Sequence, residues 1–230
     1  MILANGLVRT LDPQVATQRA LAIAGERIAG GVGVHETALA SPETVDLGGR
    51  VVVPGLTDAR VRAGDDLGAL RRAVRAAAAR GLTAVHALDG LRLWAELDAA
   101  GALKLRVWQL LSPSDLAAAR SIGLRPGFGS AFLRLGDATA EADGVYGSGR
   151  LLGDADPLAE LRRAVDPAEA LAAMTVRPAA VTGDAHRRGR LLPGFAADLV
   201  VLDRDPLADP AAEVVATMVA GCWVHSPPPW

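Results

Sequence analysis

The hydrophobic pattern changes its period twice along this chain, and that limits the folds open to it. Residues 1–53 read as short strands divided by tight turns, with Asn5-Gly6, Gly25-Glu26 and Gly48-Gly49 between apolar stretches. From residue 65 a helical period takes over. Asp65 or Asp66 is placed to cap a helix whose Leu67, Leu70, Val74, Ala77 and Ala78 form one stripe. A buried strand follows over 82–86, a helix over 91–100, a strand over 103–108 and a helix opened by Ser112-Pro113. Such alternation predicts parallel βαβ units. Past Pro193-Gly194 the β pattern returns, over 198–203, 214–219 and 222–224. The expectation is an α/β segment set between two β-rich ends.

The stretch 123–153 is glycine-rich and offers one strand, over 131–135, with a loop over 141–149. Helices are expected over 157–165 and 167–183, the second interrupted at Arg177-Pro178. The tail from Ser226 is expected to be extended. A formal charge of −2 gives no electrostatic reason to expect nucleic acid or a membrane surface as partner. One cysteine, Cys222, excludes an intrachain disulfide and a cysteine-cluster zinc site. No signal peptide or membrane-length apolar run is read, so a cytoplasmic location is expected.

The chemistry concentrates at the junction of the two periods, in Pro54-Gly55-Leu56-Thr57-Asp58-Ala59-Arg60-Val61-Arg62. Residues two apart on a strand point to the same side. Arg60 and Arg62 therefore share a side, as two ligands of one metal would. Guanidinium carries no lone pair to give, so neither arginine is a ligand.

Three stretches together resemble the metal-dependent amidohydrolases, and the family 3 branch most. They are Asp46-Leu47-Gly48-Gly49-Arg50 with Pro54-Gly55, the middle run Gly81-Leu82-Thr83-Ala84-Val85-His86, and the closing run Gly189 to Asp203. That resemblance implies a small β-sandwich made from both chain ends, beside a (β/α)8 barrel. It also implies hydrolysis of non-peptide carbon–nitrogen bonds with zinc or another divalent metal. The family carries Pro-Gly-hydrophobic-hydrophobic-Asp-x-His-x-His where this chain carries Arg60 and Arg62. A full barrel takes about 250 residues, and at roughly 30 residues per βαβ unit only about four units fit into 54–189. The bridging lysine of the family has no counterpart near 123–135, and Lys104, the only lysine, lies in another context. The fold expected is thus a truncated TIM-like barrel segment, 54–189, inserted into a β-sandwich formed by 1–53 and 190–226.

Four residues are candidates for a site. Asp154, in Gly153-Asp154-Ala155, resembles the aspartate that binds metal and moves a proton in the family; the plainer reading of Asp154 or Asp156 is a helix cap. His86 ends an apolar strand and points toward a site, or is a hydrogen-bonded strand-end histidine. Arg60 and Arg62 form a carboxylate or phosphate clamp, or pair with Asp65 and Asp66 on the surface. His35, His186 and His225 are read as lying away from a barrel mouth, with 184–188 a solvated loop. Asp58, His86 and Asp154 could make a mononuclear metal site, but each arginine costs an incoming cation about 3 kcal/mol at 5–6 Å and an effective dielectric of roughly 20. No metal or other cofactor is therefore expected. Whether the chain is an enzyme stays open between three readings: a degenerate amidohydrolase-like hydrolase, a silent relative binding an anionic small molecule or a partner protein, and a truncated gene product. Open strand edges would favour a homodimer that covers them.

Overall fold

The computed structural model describes residues 1–30, 43–138, 144–209 and 211–229. The first part of the chain is all strand: β1 Ile2–Ala4, β2 Leu7–Arg9, β3 Thr17–Gln18, β4 Leu21–Ala24, β5 Arg27–Gly30, β6 Thr44–Asp46 and β7 Val51–Pro54. The α/β part holds β8 Leu56–Val61, α1 Leu67–Ala79, β9 Leu82–Ala87, α2 Leu91–Ala99, β10 Arg106–Leu111, α3 Pro113–Ser121 and β11 Leu133–Ala138. A 3-10 turn at Leu152–Asp154 precedes α4 Pro157–Arg163, α5 Pro167–Ala173 and α6 Val176–Val181. The chain closes with β12 Leu199–Leu202, β13 Val214–Val219 and β14 Cys222–His225.

Two sheets are built from the chain ends, ordered β5-β4-β1-β6 and β14-β13-β12-β7-β2-β3. The ends meet where β7 runs antiparallel to β12, with Val52 opposite Val201. Alternation explains why both strands are continuous apolar runs. Val52, Leu199 and Val201 join Leu3, Leu21, Ile28 and Met218 in the core between the two sheets, while Val51, Val53, Val200 and Leu202 turn to the other side and pack with α1. Both faces are buried, so neither strand has a polar face.

The third sheet is parallel and ordered β11-β10-β9-β8. One face packs on the helices through Leu56, Val85 and Val107 against Leu70, Val74, Trp94 and Leu97. Helix α1 begins where Asp66 accepts from the Ala69 N–H, and α3 where Ser112 accepts from the Asp115 N–H at 3.1 Å. The mixed α/β fold with a partial barrel is therefore present, and the described residues form no closed barrel.

The edges of this sheet differ from expectation. They are not open. Along β8, the segment 146–152 runs as a parallel ladder: Ala59 donates to Tyr146 O at 2.9 Å, Gly149 to Arg60 O at 2.7 Å and Arg62 to Arg150 O at 2.8 Å. Residues read as loop are thus partly a strand surrogate. On the other side, 127–130 folds back on β11, with Gly127 donating to Leu135 O at 2.7 Å and Leu135 to Phe128 O at 2.9 Å.

Element boundaries also shift. The strand expected over 103–108 is Arg106–Leu111, because its register is set by β9, where Arg106 meets Ala84 and Gln109 meets Ala87. The strand expected over 131–135 starts at Leu133, because the Ser130 hydroxyl accepts from the Phe132 and Leu133 N–H groups and holds a turn there. The break in 167–183 falls at Thr175, whose hydroxyl donates to Leu171 O at 2.6 Å, while Pro178 sits in the first turn of α6, where its missing N–H costs nothing. No helix among the described residues is long and apolar enough to cross a membrane.

Candidate functional site

The four candidate residues are dispersed. Arg60 and Arg62 are both exposed at the end of β8, on either side of buried Val61, as strand alternation requires. Arg62 pairs with Asp89 at 3.4 Å rather than with Asp65 or Asp66, and Asp66 is used as the α1 cap. Gly147 lies so close to Arg60 that a Cβ there would come within 2.8 Å of its side chain. Asp154 is exposed in a separate cavity of about 600 Å³, with Tyr146, Ser148, Arg150 and Glu160 in its wall. It caps no helix: Asp156 takes that role for α4, accepting from the Ala159 N–H at 3.0 Å.

His86 lines a crevice together with Thr57, Thr83, Thr175, Arg188 and Asp198. The crevice measures about 10 Å³, room for a single water at most. Burial, and then the charge of Arg188, pull the imidazole down to a pKa of about 3, so it is neutral across the physiological range. Asp58 is fully buried. Its Oδ1 accepts from the Arg60 and Ser148 N–H groups, both at 3.0 Å, and its Oδ2 has no hydrogen-bond partner among the described residues. Burial pushes this carboxyl up, against the hydrogen bonds from Ser148 and Arg60. Among the described residues no three of His, Cys, Asp and Glu are grouped as a metal would need. His35 lies outside the described residues, His186 is exposed, and His225 is in β14.

The inner face of the parallel sheet holds a charge cluster that sequence reasoning missed. His86, Trp108 and Arg134 are cross-strand neighbours on β9, β10 and β11, with Arg106 two residues before Trp108. Residues 184–188, expected to be a solvated loop, cover this face instead. Asp184 is buried, and Arg188 keeps only 11% of its side chain exposed. Arg106 donates to both oxygens of Asp198, at 2.7 and 3.0 Å, and Arg187 donates to Asp184 at 2.7 Å. Arg188 sits between the two acids, at 3.5 Å from Asp198 and 3.6 Å from Asp184. Burial alone would raise the Asp198 carboxyl. Arg106, by charge and hydrogen bonds, and Arg188 outweigh it and hold the group below the usual carboxylate range. Burial and the neighbouring Arg106 lower Arg188, against the pull of Asp198 and Asp184.

A signal for this cluster was present. Asp184, Arg187 and Arg188 are spaced three and four apart, the spacing that gathers side chains on one side of a helical turn. Nothing in that spacing says which way the turn faces.

Beside the cluster opens a cavity of about 120 Å³, walled by Glu26, Arg27, Arg106, Trp108, Phe132, Arg134, Asp184, Arg187 and Arg188. Arg134 lies over the Trp108 ring at 5.8 Å, and Arg106 over Phe132 at 5.3 Å. The cavity lies by the first residues of β10 and β11, toward the end-formed sheets. Arg60 and Arg62 lie at the far end of β8.

Residues 150–225 match the amidohydrolase family. Solved structures share the fold across the chain. Ochratoxinase of A. niger is 16% identical at a TM-score of 0.72, covering 98% of this chain and 95% of that one. Enamidase is 14% identical at 0.69, covering 98% and 96%. A metal-dependent hydrolase of Pyrococcus horikoshii OT3 is 12% identical at 0.71, covering 90% and 98%. No curated protein matches in sequence.

Proposed function

From the premise that this is an amidohydrolase-fold chain whose residues 150–225 match that family, we propose that it is a metal-deficient relative. It has given up hydrolysis of carbon–nitrogen bonds and works by binding a small anionic molecule. The observation that carries this reading is Arg188, buried against His86. A catalytic zinc takes about three protein ligands and an open position for water. At His86 the neighbouring group is a fixed cation, and the space is too small for a metal with its water. At β8 the two positions that would carry histidines carry Arg60 and Arg62. Asp154 faces a different cavity from His86. Among the described residues the donor set does not fit the metal that the fold family uses.

The family activity remains the second reading. Asp154 favours it, standing exposed in a roomy cavity beside Tyr146 and Ser148. Metal analysis of the purified protein separates the two. The expected result is far less than one equivalent of zinc, manganese or iron. Near-stoichiometric metal that is lost in His86→Ala or Asp154→Ala, with cleavage of an amide or imide substrate, would overturn the first reading. A homodimer has less reason where the chain covers part of both sheet edges; exposed Ile122 and Phe128 still favour one, and sedimentation as a monomer at micromolar concentration would refute it.

A further inference from the structure

The proposed reading leaves open where the anion is held, and Arg60 with Arg62 is not the best-built place. Arg62 is already paired with Asp89, and the two side chains stand exposed at the sheet end. The arginine-walled cavity beside β10 and β11 has the opposite properties. Five guanidinium groups, Arg27, Arg106, Arg134, Arg187 and Arg188, face two lining carboxylates, Glu26 and Asp184, and Asp198 behind them. Two positive charges are left over.

The pairing shows which groups carry the surplus. Arg106 is taken by Asp198, and Arg187 by Asp184. Arg27 donates to Gly194 O, and Arg134 through Nε to Ser130 O; neither meets a carboxylate among the described residues. The terminal nitrogens of Arg134 make no hydrogen bond to another described residue, and its guanidinium carbon lies 5.8 Å from the centre of the Trp108 ring. Arg188 is matched as well, standing between Asp198 at 3.5 Å and Asp184 at 3.6 Å. The surplus therefore rests on Arg27 and Arg134 at the open side of the cavity, guanidinium groups that an entering anion can reach and that no described carboxylate holds.

We propose that this cavity binds a small oxyanion, a carboxylate or phosphate group, with Arg134 as the principal clamp and Arg187 beside it. Guanidinium forks match both groups through paired N–H donors. The room of about 120 Å³ admits the anionic group and a small attached body. Trp108 and Phe132 serve as the flat walls on which the arginines rest.

This inference rests on the reading of the chain as a binding protein, and its test separates the two. Calorimetric titrations at low salt use inorganic phosphate in one arm and benzoate in another, with uncharged benzamide alongside. At least one anion binds, benzamide does not, and added sodium chloride weakens the binding. Arg134→Gln weakens it about tenfold or more, the loss of one charge-assisted pair, with the thermal midpoint kept near that of the parent. Arg187→Gln, made separately, keeps the test decisive if one variant folds poorly. Arg92→Gln, on the exposed face of α2, changes nothing. No binding of either anion, or full binding by both cavity variants, overturns the inference. Loss of binding in Arg62→Gln alone moves the site to the end of β8 and overturns it too, while the binding reading stands. Stoichiometric metal with hydrolysis would instead remove the reading itself.

Discussion

Arg106 grips both oxygens of Asp198, at 2.7 and 3.0 Å, and so fastens the third strand of the parallel sheet to the chain end that closes the fold. Asp198 also accepts from the Ala220 N–H at 2.8 Å, and only 7% of its side chain is exposed. Asp198→Asn keeps the shape and removes the charge, leaving Arg106 and Arg188 buried without it. Breaking one partner of a buried pair costs about 3–5 kcal/mol. Urea denaturation at neutral pH reads this directly, and a loss under about 1 kcal/mol would show that the pair is solvated. The carboxyl is held low in the fold, so its stabilisation is present above the ordinary carboxylate pKa of about 4. It is lost as pH falls below that toward the folded value.

His86 acts in a neighbouring window. Its unfolded form protonates near the ordinary value of 6.5, while the folded form stays neutral down to about 3. Between those values the unfolded chain binds more protons, so stability falls as pH is lowered from 6.5 toward 3. The slope from this group alone reaches about 1.4 kcal/mol per pH unit. Asp58 works the other way, because its raised carboxyl takes its proton earlier in the folded state. His86→Gln removes the histidine contribution. Denaturation midpoints measured from pH 7 to 4.5 should flatten in the variant, and an unchanged slope would refute the buried neutral imidazole.

Gly55 is required by proximity rather than by backbone angle. A Cβ there would meet Thr83 Oγ1 at 2.0 Å and Cγ2 at 2.4 Å. Gly55 also donates to Asp198 O at 3.0 Å, so the chain cannot back away freely. Gly55→Ala is expected to cost about 1–3 kcal/mol, the range for forced overpacking. The double variant Gly55→Ala/Thr83→Ala should recover part of that. If the second change recovers nothing, the clash is not with the Thr83 Oγ1 and Cγ2 but with its Cβ, at 2.6 Å, or elsewhere.

Much of the fold was legible because periodicity reports burial. Val51, Val52 and Val53 read as a strand, and they form one with both faces buried. The helix starts expected at Asp65 or Asp66 and at Ser112-Pro113 are present, capped by Asp66 and Ser112, because a short polar side chain before an apolar stripe satisfies helix N–H groups locally. The boundary at 103–108 was not legible, since the register of a parallel strand is set by its neighbour rather than by its own alternation, and the one at 131–135 turned on the Ser130 hydroxyl. The site was less legible still. Arg60 and Arg62 stood out through a familiar frame, and a frame marks position along the chain. The residues gathered inside, Arg106, Arg134, Arg188 and Asp198, come from two strands, a turn and a closing segment. Their meeting depends on long-range packing, for which the one-dimensional pattern offers only the spacing of Asp184, Arg187 and Arg188.

The ladders that 127–130 and 146–152 make with β11 and β8 have a consequence for any attempt to complete the barrel. A peptide supplied as an extra strand finds part of each docking row already claimed by the chain itself. It would have to strip away a native segment before forming its first hydrogen bond. The short sheet therefore behaves as a finished object, and enlarging it means redesigning its two seams.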